Sequence, residues 1–127
     1  MTDPTVPIRG VYEVAIRVKQ LPRAEAFYRD VLGLEVGLRD ETRKWLFLRA
    51  GGEVGMIVLQ EDPTDWPPQH LAFVVAAADL ERSAALLKER GVAVSGPHFH
   101  AWMPARSLYF RDPDGHQLEL CALTGEP

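Results

Sequence analysis

The strongest constraint on the fold is that the chain carries one succession of secondary-structure signals twice. An alternating strand pattern at 11–18 precedes a helical pattern from Leu21 to Leu32, and the same succession recurs at 70–75 and 80–90. A glycine ends each helical pattern, and three strand-like segments follow it, so both halves are predicted to be βαβββ modules. A module of about 60 residues buries too little surface to be stable alone, so the modules are expected to pack together.

The repeat also predicts the domain organisation. We place a first module at 8-62, a proline-rich linker at 63-69 and a second module at 70-124, within one α+β domain spanning 8-124. In the second module a strand is predicted to begin at 92–94. Residues 95–105 contain two prolines and no clear periodicity, which predicts an irregular segment that either covers a cleft as a lid or is simply exposed.

Composition excludes several classes of function. The chain has 127 residues, a formal net charge of −4 and no cluster of Lys or Arg, which argues against a nucleic-acid partner. No apolar run approaches the ~18 residues that span a bilayer. Cys121 is the only cysteine, so no disulfide can form within the chain. The first residues are polar and unlike a signal peptide, so we expect a cytoplasmic protein without a membrane partner.

Strand alternation assigns side chains to the two faces of each predicted sheet. One face is apolar and is expected to pack on the helices, as for Ile16, Val18, Phe73 and Leu120. The opposite face mixes ionisable and apolar groups, which is typical of a ligand cleft. It is predicted to carry Glu13, Arg17, Trp45, Phe47, Met56, His70, Ser107, Tyr109 and Glu119. His116 follows a turn and is predicted to lie on the surface.

Three residues of this mixed face are candidate metal ligands. Glu13 and His70 occupy equivalent positions in the two modules, and Glu119 lies on the last strand of the second module. Each residue alone is compatible with an ordinary surface group. Together, two carboxylates and one imidazole suit a divalent ion such as Mn, Fe, Zn, Ni or Co. Three protein ligands would leave positions open for substrate, as in catalytic metal sites.

Three segments carry a resemblance to a known family. They are Ala26 to Leu34, His70 to Phe73 and Tyr109 to Leu120, and the similarity extends over nearly the whole chain. The chain resembles the vicinal oxygen chelate superfamily, which includes glyoxalase I, bleomycin-resistance proteins, fosfomycin-resistance enzymes and type I extradiol dioxygenases. The resemblance implies a glyoxalase-like fold, in which eight strands form a cup-shaped incomplete barrel.

The resemblance also implies that Glu13, His70 and Glu119 bind the metal and that the protein is a homodimer with shared sites. The metal would act as a Lewis acid on a small oxygen-bearing substrate, in isomerase, lyase or epoxide-opening transferase chemistry. Glu13 or Glu119 would double as a base, and Tyr109 would donate a hydrogen bond to an oxygen on the metal. Tyr109 is equally compatible with an ordinary half-buried strand residue.

The remaining cleft residues define a substrate site and a rival function. Arg17 is expected either to hold an anionic substrate group or to pair with Glu13 or Glu119. The predicted substrate-binding residues are Arg17, Trp45, Phe47, Met56, Trp102 and Ser107. The alternative to an enzyme is a metal-free protein of the bleomycin-resistance type that sequesters a drug between its aromatic side chains.

Overall fold

In the computed structural model, which describes residues 5–123, eight strands form two open four-stranded sheets. The first module consists of β1 (Glu13–Val18), α1 (Leu21–Ala26), β2 (Glu35–Asp40), β3 (Trp45–Arg49) and β4 (Met56–Glu61). The second consists of β5 (His70–Val74), α2 (Leu80–Glu89), β6 (Ser95–His100), β7 (Ala105–Arg111) and β8 (Gln117–Leu123). The α+β class and the two βαβββ modules are therefore confirmed.

Both sheets have the same strand order. The first sheet runs β1-β4-β3-β2 and the second β5-β8-β7-β6, and the first strand of each module pairs in parallel with its last strand. The predicted limits of the modules remain predictions, and their end at residue 124 lies outside the described residues. None of the helices at 5–123 is long and apolar enough to cross a membrane.

The helix of the first module changes its winding partway along. Residues Phe27–Val31 continue α1 as a π-helix, which widens the turn that faces the second module. Phe27 and Tyr28 of this turn are buried, and the ring of Phe27 lies 6.5 Å from that of Phe110 on β7. Gly33, at a φ of 80°, ends the helical segment in the left-handed region that glycine adopts without strain.

The apolar faces of both sheets share one core, as strand alternation predicted. Ile16 and Leu59 of the first sheet and Leu118 and Leu120 of the second belong to the same buried cluster, together with side chains of both helices. Val14, Ile57, Leu71, Phe73 and Leu120 line an apolar pocket of about 510 Å³ that lies between the modules and opens to solvent. The modules thus pack through their helix-bearing sides, and the other faces of the two sheets point away from each other.

The prediction of an irregular segment at 95–105 is wrong for its first half. Residues 95–100 form the edge strand β6, which pairs antiparallel with β7, and only 101–104 form a turn. The strand predicted to begin at 92–94 is absent from those residues. Pro97 is tolerated because an edge strand leaves one side of its backbone unpaired, and the register shifts between Ser95 and His98.

The prediction that His116 lies on the surface is also wrong, because the residue is fully buried. Its Nδ1 accepts a hydrogen bond from the Gln69 amide at 2.8 Å, so Nε2 carries the proton and donates to the Arg17 carbonyl at 2.7 Å. Its ring stacks on Trp66 with 5.2 Å between centroids. A polar ring is buried here because backbone groups of the linker and of β1 satisfy both nitrogens.

A second buried contact joins α1 to the turn before β8. The Tyr28 hydroxyl donates to Asp112 Oδ2 at 2.7 Å, and both residues are buried. Burial, together with the neighbouring Asp112 carboxylate, raises the pKa of Tyr28 far above its usual range. The phenol is therefore protonated at neutral pH and donates to the Asp112 carboxylate.

The substitution Tyr28→Phe is expected to lower the free energy of unfolding by about 1–3 kcal/mol, because it leaves a buried carboxylate oxygen without its donor. Urea unfolding measures the change. Tyr12→Phe is the matched control, since Tyr12 is 60% exposed and its hydroxyl has no partner among residues 5–123. Equal stability of the two variants would contradict the structural role of the Tyr28 contact.

The ion pairs of Glu25 on α1 allow a prediction of how the free energy of unfolding changes at acidic pH. Hydrogen bonds from Arg39, joined by Arg29, lower the pKa of Glu25 from 4.5 to about 2. Because the folded-state pKa is the lower one, this contribution to stability is complete above pH 4.5 and is lost as the pH falls through about 2. Glu25→Gln should flatten the loss of stability in that window, as measured by thermal unfolding against pH.

The control for this prediction is Glu53→Gln. Glu53 is exposed in the segment between β3 and β4, and its side chain has no ion-pair partner among the residues of the structure that are described. An unchanged pH profile in Glu25→Gln would show that the ion pairs of Glu25 contribute nothing to acid stability.

Candidate metal centre

The outer face of the second sheet brings together two of the three predicted metal ligands. His70 begins β5 and Glu119 lies in β8, and the parallel register sets His70 beside Gln117 and Ala72 beside Glu119. His70 and Glu119 are thus diagonal neighbours on adjacent strands, and their side chains lie on the same face of the sheet. His70 Nε2 lies 3.0 Å from Glu119 Oε1.

Glu119 is held in place although it carries a charge. Only 6% of the residue is exposed, and its Oε2 accepts a hydrogen bond from the Ser107 hydroxyl at 2.6 Å. Ser107 is fully buried on the neighbouring strand β7. Burying a carboxylate is costly unless its oxygens are paired, so Ser107 and His70 together fix the position of Glu119.

The hydrogen bonds of His70 indicate where a cation fits. Nδ1 lies 3.2 Å from the Gln117 carbonyl oxygen, and Nε2 faces the Glu119 carboxylate. A neutral imidazole has one N–H, so it cannot donate to both oxygens. With its proton on Nε2 the ring donates to Glu119, whereas with its proton on Nδ1 it donates to the Gln117 carbonyl and leaves Nε2 free to bind a metal ion beside Oε1. Metal-binding histidines commonly donate Nδ1–H to a carbonyl in this way.

The separation of the two donor atoms suits adjacent ligands of one ion. Two ligands about 2.1 Å from an octahedral metal, at right angles to each other, lie about 3 Å apart. One imidazole nitrogen and carboxylate oxygens are donors that Mn²⁺, Fe²⁺ and Zn²⁺ accept. His70 and Glu119 therefore fit a divalent metal, and their half-site lacks a third protein ligand.

Glu13 is not brought to this pair within one chain. Among residues 5–123, no three His, Cys, Asp or Glu side chains lie close enough to hold a metal ion together. Glu13 is exposed on β1, on the outer face of the first sheet. Since the outer faces of the two sheets point away from each other, a single chain presents a pair of ligands on one side and a lone carboxylate on the other.

The predicted substrate-binding residues, and the predicted catalytic residue Tyr109, are divided in the same way. On the first sheet, with Glu13, lie Arg17, Trp45, Phe47 and Met56. On the second sheet or its β6–β7 turn, with His70 and Glu119, lie Trp102, Ser107 and Tyr109. Of the two alternatives for Arg17, the pairing with Glu13 or Glu119 does not occur within the chain, where Arg17 Nε lies 3.5 Å from Asp62 Oδ2.

Two histidines of this face were not among the predicted site residues. His98 and His100 project from β6 onto the outer face, where His100 Nε2 lies 2.8 Å from the Tyr109 hydroxyl. His98 Nε2 lies 2.8 Å from the Ser95 hydroxyl. Their spacing of two residues places them on one face only if the segment is a strand, and the sequence predicted an irregular segment there. Trp102, at the following turn, is 81% exposed.

Solved structures with the same fold include proteins of different function. An integron cassette protein from the Halifax Harbour sewage outfall metagenome is 46% identical, with a TM-score of 0.87 over 91% of this chain and all of that one. TnmS3, an antibiotic binding protein from Streptomyces sp. CB03234, is 27% identical, with a TM-score of 0.80 over 94% of this chain and all of that one.

A third structure holds a metal. A mutant of the fosfomycin resistance protein FosX from Listeria monocytogenes, complexed with Mn(II) and 1S,2S-dihydroxypropylphosphonic acid, is 26% identical. Its TM-score is 0.74, and the similarity covers 94% of each chain.

Curated sequences and a family model agree with these structures. Metallothiol transferase FosB from Staphylococcus epidermidis is 28% identical over 118 residues, which are 89% of this chain and 83% of that protein. The model of one family matches residues 10–120, nearly the whole length described above. The chain belongs to the Glyoxalase/Bleomycin resistance protein/Dioxygenase superfamily.

Proposed function

We propose that the protein is a metal-dependent enzyme whose site is completed by a second copy of the chain. His70 and Glu119 of one copy would hold the metal together with Glu13 of the other copy. The observation that carries this proposal is the His70–Glu119 pair, whose facing nitrogen and oxygen lie 3.0 Å apart, a separation that suits two ligands of one metal ion.

Exposed apolar side chains on the outer faces support a dimer. Leu38 on β2 is 58% exposed and Val74 on β5 is 77% exposed, and each lies on the face that carries the candidate ligands. Apolar groups in such a position are commonly covered by a partner. The strands β1 and β5 also end their sheets, so each has a free edge that a second copy can approach.

A two-fold dimer would bring the two halves of the candidate site together. In a symmetric pair, the outer face of the first sheet in one copy can meet the outer face of the second sheet in the other copy, and the same contact then occurs twice. Each cleft would contain Glu13, Arg17 and the aromatic residues of one copy, and the His70–Glu119 pair of the other. Two equivalent sites per dimer follow from this arrangement.

The chemistry of such a site is acid-assisted opening of a bond to oxygen. When bound, a divalent metal supplies Lewis-acid polarisation of a substrate oxygen and stabilises the charge that develops there. The candidate ligands are already held in position, because Ser107 fixes the Glu119 carboxylate and the Gln117 carbonyl orients the His70 ring. Arg17, with 57% of its side chain exposed beside Asp62, is available for an anionic group of the substrate.

We propose epoxide opening by a thiol as the reaction. This choice rests on the similarity to a metallothiol transferase and to a fosfomycin resistance protein in complex with a diol phosphonate. The phosphonate would be held by the Arg17 guanidinium, while Phe47 and Met56 on the same face would contact the carbon skeleton. The mixed apolar and cationic surface suits a small anionic epoxide better than a large neutral molecule.

The second candidate is a drug-binding protein without a metal. It is favoured by the TM-score of 0.80 with the antibiotic binding protein TnmS3, and by Trp102, whose exposed indole borders the face of Tyr109 and Ser107. In that case the aromatic groups of both outer faces would enclose a planar drug. Metal content separates this candidate from the enzyme.

Protein purified without chelator is expected to contain about one divalent metal ion per chain, measured by elemental analysis. Glu13→Gln and Glu119→Gln should each lose most of this metal, because each removes a charged ligand from every site. Mixing the two variants under conditions that exchange subunits should restore about one quarter of the metal, since half of the dimers are mixed and each has one intact site of two.

The matched control is Glu35→Gln, an exposed carboxylate on β2 that should leave the metal content unchanged. Loss in both single variants without recovery on mixing would contradict the shared site while retaining a metal. A protein without metal that binds a planar aromatic antibiotic tightly in the presence of chelator would instead support the drug-binding function.

A further inference from the structure

The Tyr109–His100 pair lies next to the candidate metal ligands without belonging to them. Tyr109 on β7 is the cross-strand partner of Glu119 on β8, so their side chains are neighbours on the outer face. On its other side, the Tyr109 hydroxyl lies 2.8 Å from His100 Nε2 on β6, and the two rings meet edge to face at 6.1 Å. The phenol thus bridges the candidate metal centre and an imidazole on the edge strand.

Few other groups on the two outer faces can take up a proton. The positions that flank His70 on β5 are occupied by apolar residues, Ala72 and Val74, and the Ser107 hydroxyl is already committed as a donor to Glu119. On the first sheet Trp45, Phe47 and Met56 have no basic atom. Glu13 and Glu119 would be neutralised by the metal, and His70 would bind it through Nε2. An imidazole can accept a proton at neutral pH, so the β6 histidines are the available bases.

Both histidines of β6 lie near the Tyr109 ring, at 6.1 Å between ring centroids, but they differ in their hydrogen bonds. His98 bonds to Ser95 on its own strand, whereas His100 bonds to Tyr109, which lies beside Glu119. Of the two histidines, only His100 is therefore hydrogen-bonded to a residue that neighbours the candidate metal ligand Glu119. This difference makes His98 a natural control for His100.

We propose that Tyr109 and His100 form a proton relay for the attacking thiol, an inference that rests on the proposed function. The thiol proton passes to the Tyr109 oxygen while the phenolic proton passes to His100 Nε2. The sulfur forms a bond to an epoxide carbon as the bond from that carbon to the epoxide oxygen breaks. The proton then returns by the same route to the opened oxygen, so the relay ends as it began and nothing is oxidised or reduced.

The relay requires a defined tautomer of His100. Nε2 must accept from the Tyr109 hydroxyl, so the ring proton must reside on Nδ1, and the phenol oxygen keeps a lone pair that can accept the thiol proton. Tyr109 is the catalytic residue of the pair, because it would touch the substrate, and His100 acts through it. General acid–base groups of this kind contribute about 10²- to 10⁴-fold to a rate.

The first test uses Mn²⁺-loaded protein with fosfomycin and L-cysteine as probes. His100→Ala should lower kcat about 100-fold with little change in KM, and added imidazole should restore part of the loss. His100→Gln, which keeps a hydrogen-bonding group but cannot take up the proton, should be equally slow. His98→Ala should retain the wild-type kcat and show no response to imidazole, and equal kcat values for the His98 and His100 variants would overturn the relay.

The second test needs neither metal nor turnover. The ¹⁵N chemical shifts of the His100 ring in metal-free protein should report a proton on Nδ1 and an accepting Nε2, and Tyr109→Phe should shift the Nε2 signal. A proton on Nε2, donated to the phenol, would overturn the relay whatever the activity. Absence of turnover by the wild-type protein with an intact Nδ1–H tautomer would count against the proposed function and leave the hydrogen bond established.

Discussion

The core shared by the two modules uses one face of the strands of both sheets, and this determines where chemistry can occur. Ile16, Leu59, Leu118 and Leu120 are committed to that core. Successive residues of a strand point to opposite sides, so the ionisable groups between these positions must lie on the outer faces. Packing of the modules through their helix-bearing sides then turns the two outer faces apart and divides the candidate site within one chain.

Buried polar contacts fix how the modules are oriented. His116 satisfies both ring nitrogens with backbone groups 47 and 99 residues away in sequence, and Tyr28 donates to Asp112 across the same junction. Such contacts stabilise one arrangement over others because a slight rotation of the modules would leave buried donors and acceptors unpaired. The direction in which each outer face points therefore depends on polar residues far from the candidate metal centre.

Strand alternation and the internal repeat predicted the modules, the core and the members of each face. They did not predict β6, since Gly96 and Pro97 interrupt its pattern and pairing with β7 overrides that local signal. Nor did they predict the burial of His116, because its partners are backbone atoms that have no signature in the sequence. The face of Glu13 and the face of His70 were identified correctly, but alternation carries no information on which modules meet across a cleft.

The outer face of the second sheet carries polar side chains from β5 across to the edge strand β6. His70 and Glu119 are the candidate metal ligands, and the Ser107 hydroxyl holds the Glu119 carboxylate by a hydrogen bond. The Tyr109–His100 pair extends the polar surface to the edge strand β6. The first sheet contributes a carboxylate, a guanidinium and aromatic surface. Under the proposed function, neither face would be sufficient for catalysis alone, and together they would supply the metal site, the anion site and the proton acceptor.

Crystals grown with Mn²⁺ would test the shared metal site, because anomalous scattering locates the ion without assumptions about the reaction. We expect a manganese peak bonded to His70 and Glu119 of one copy and to Glu13 of the partner subunit. A peak elsewhere, or a dimer in which Glu13 faces solvent away from the His70–Glu119 pair, would contradict it.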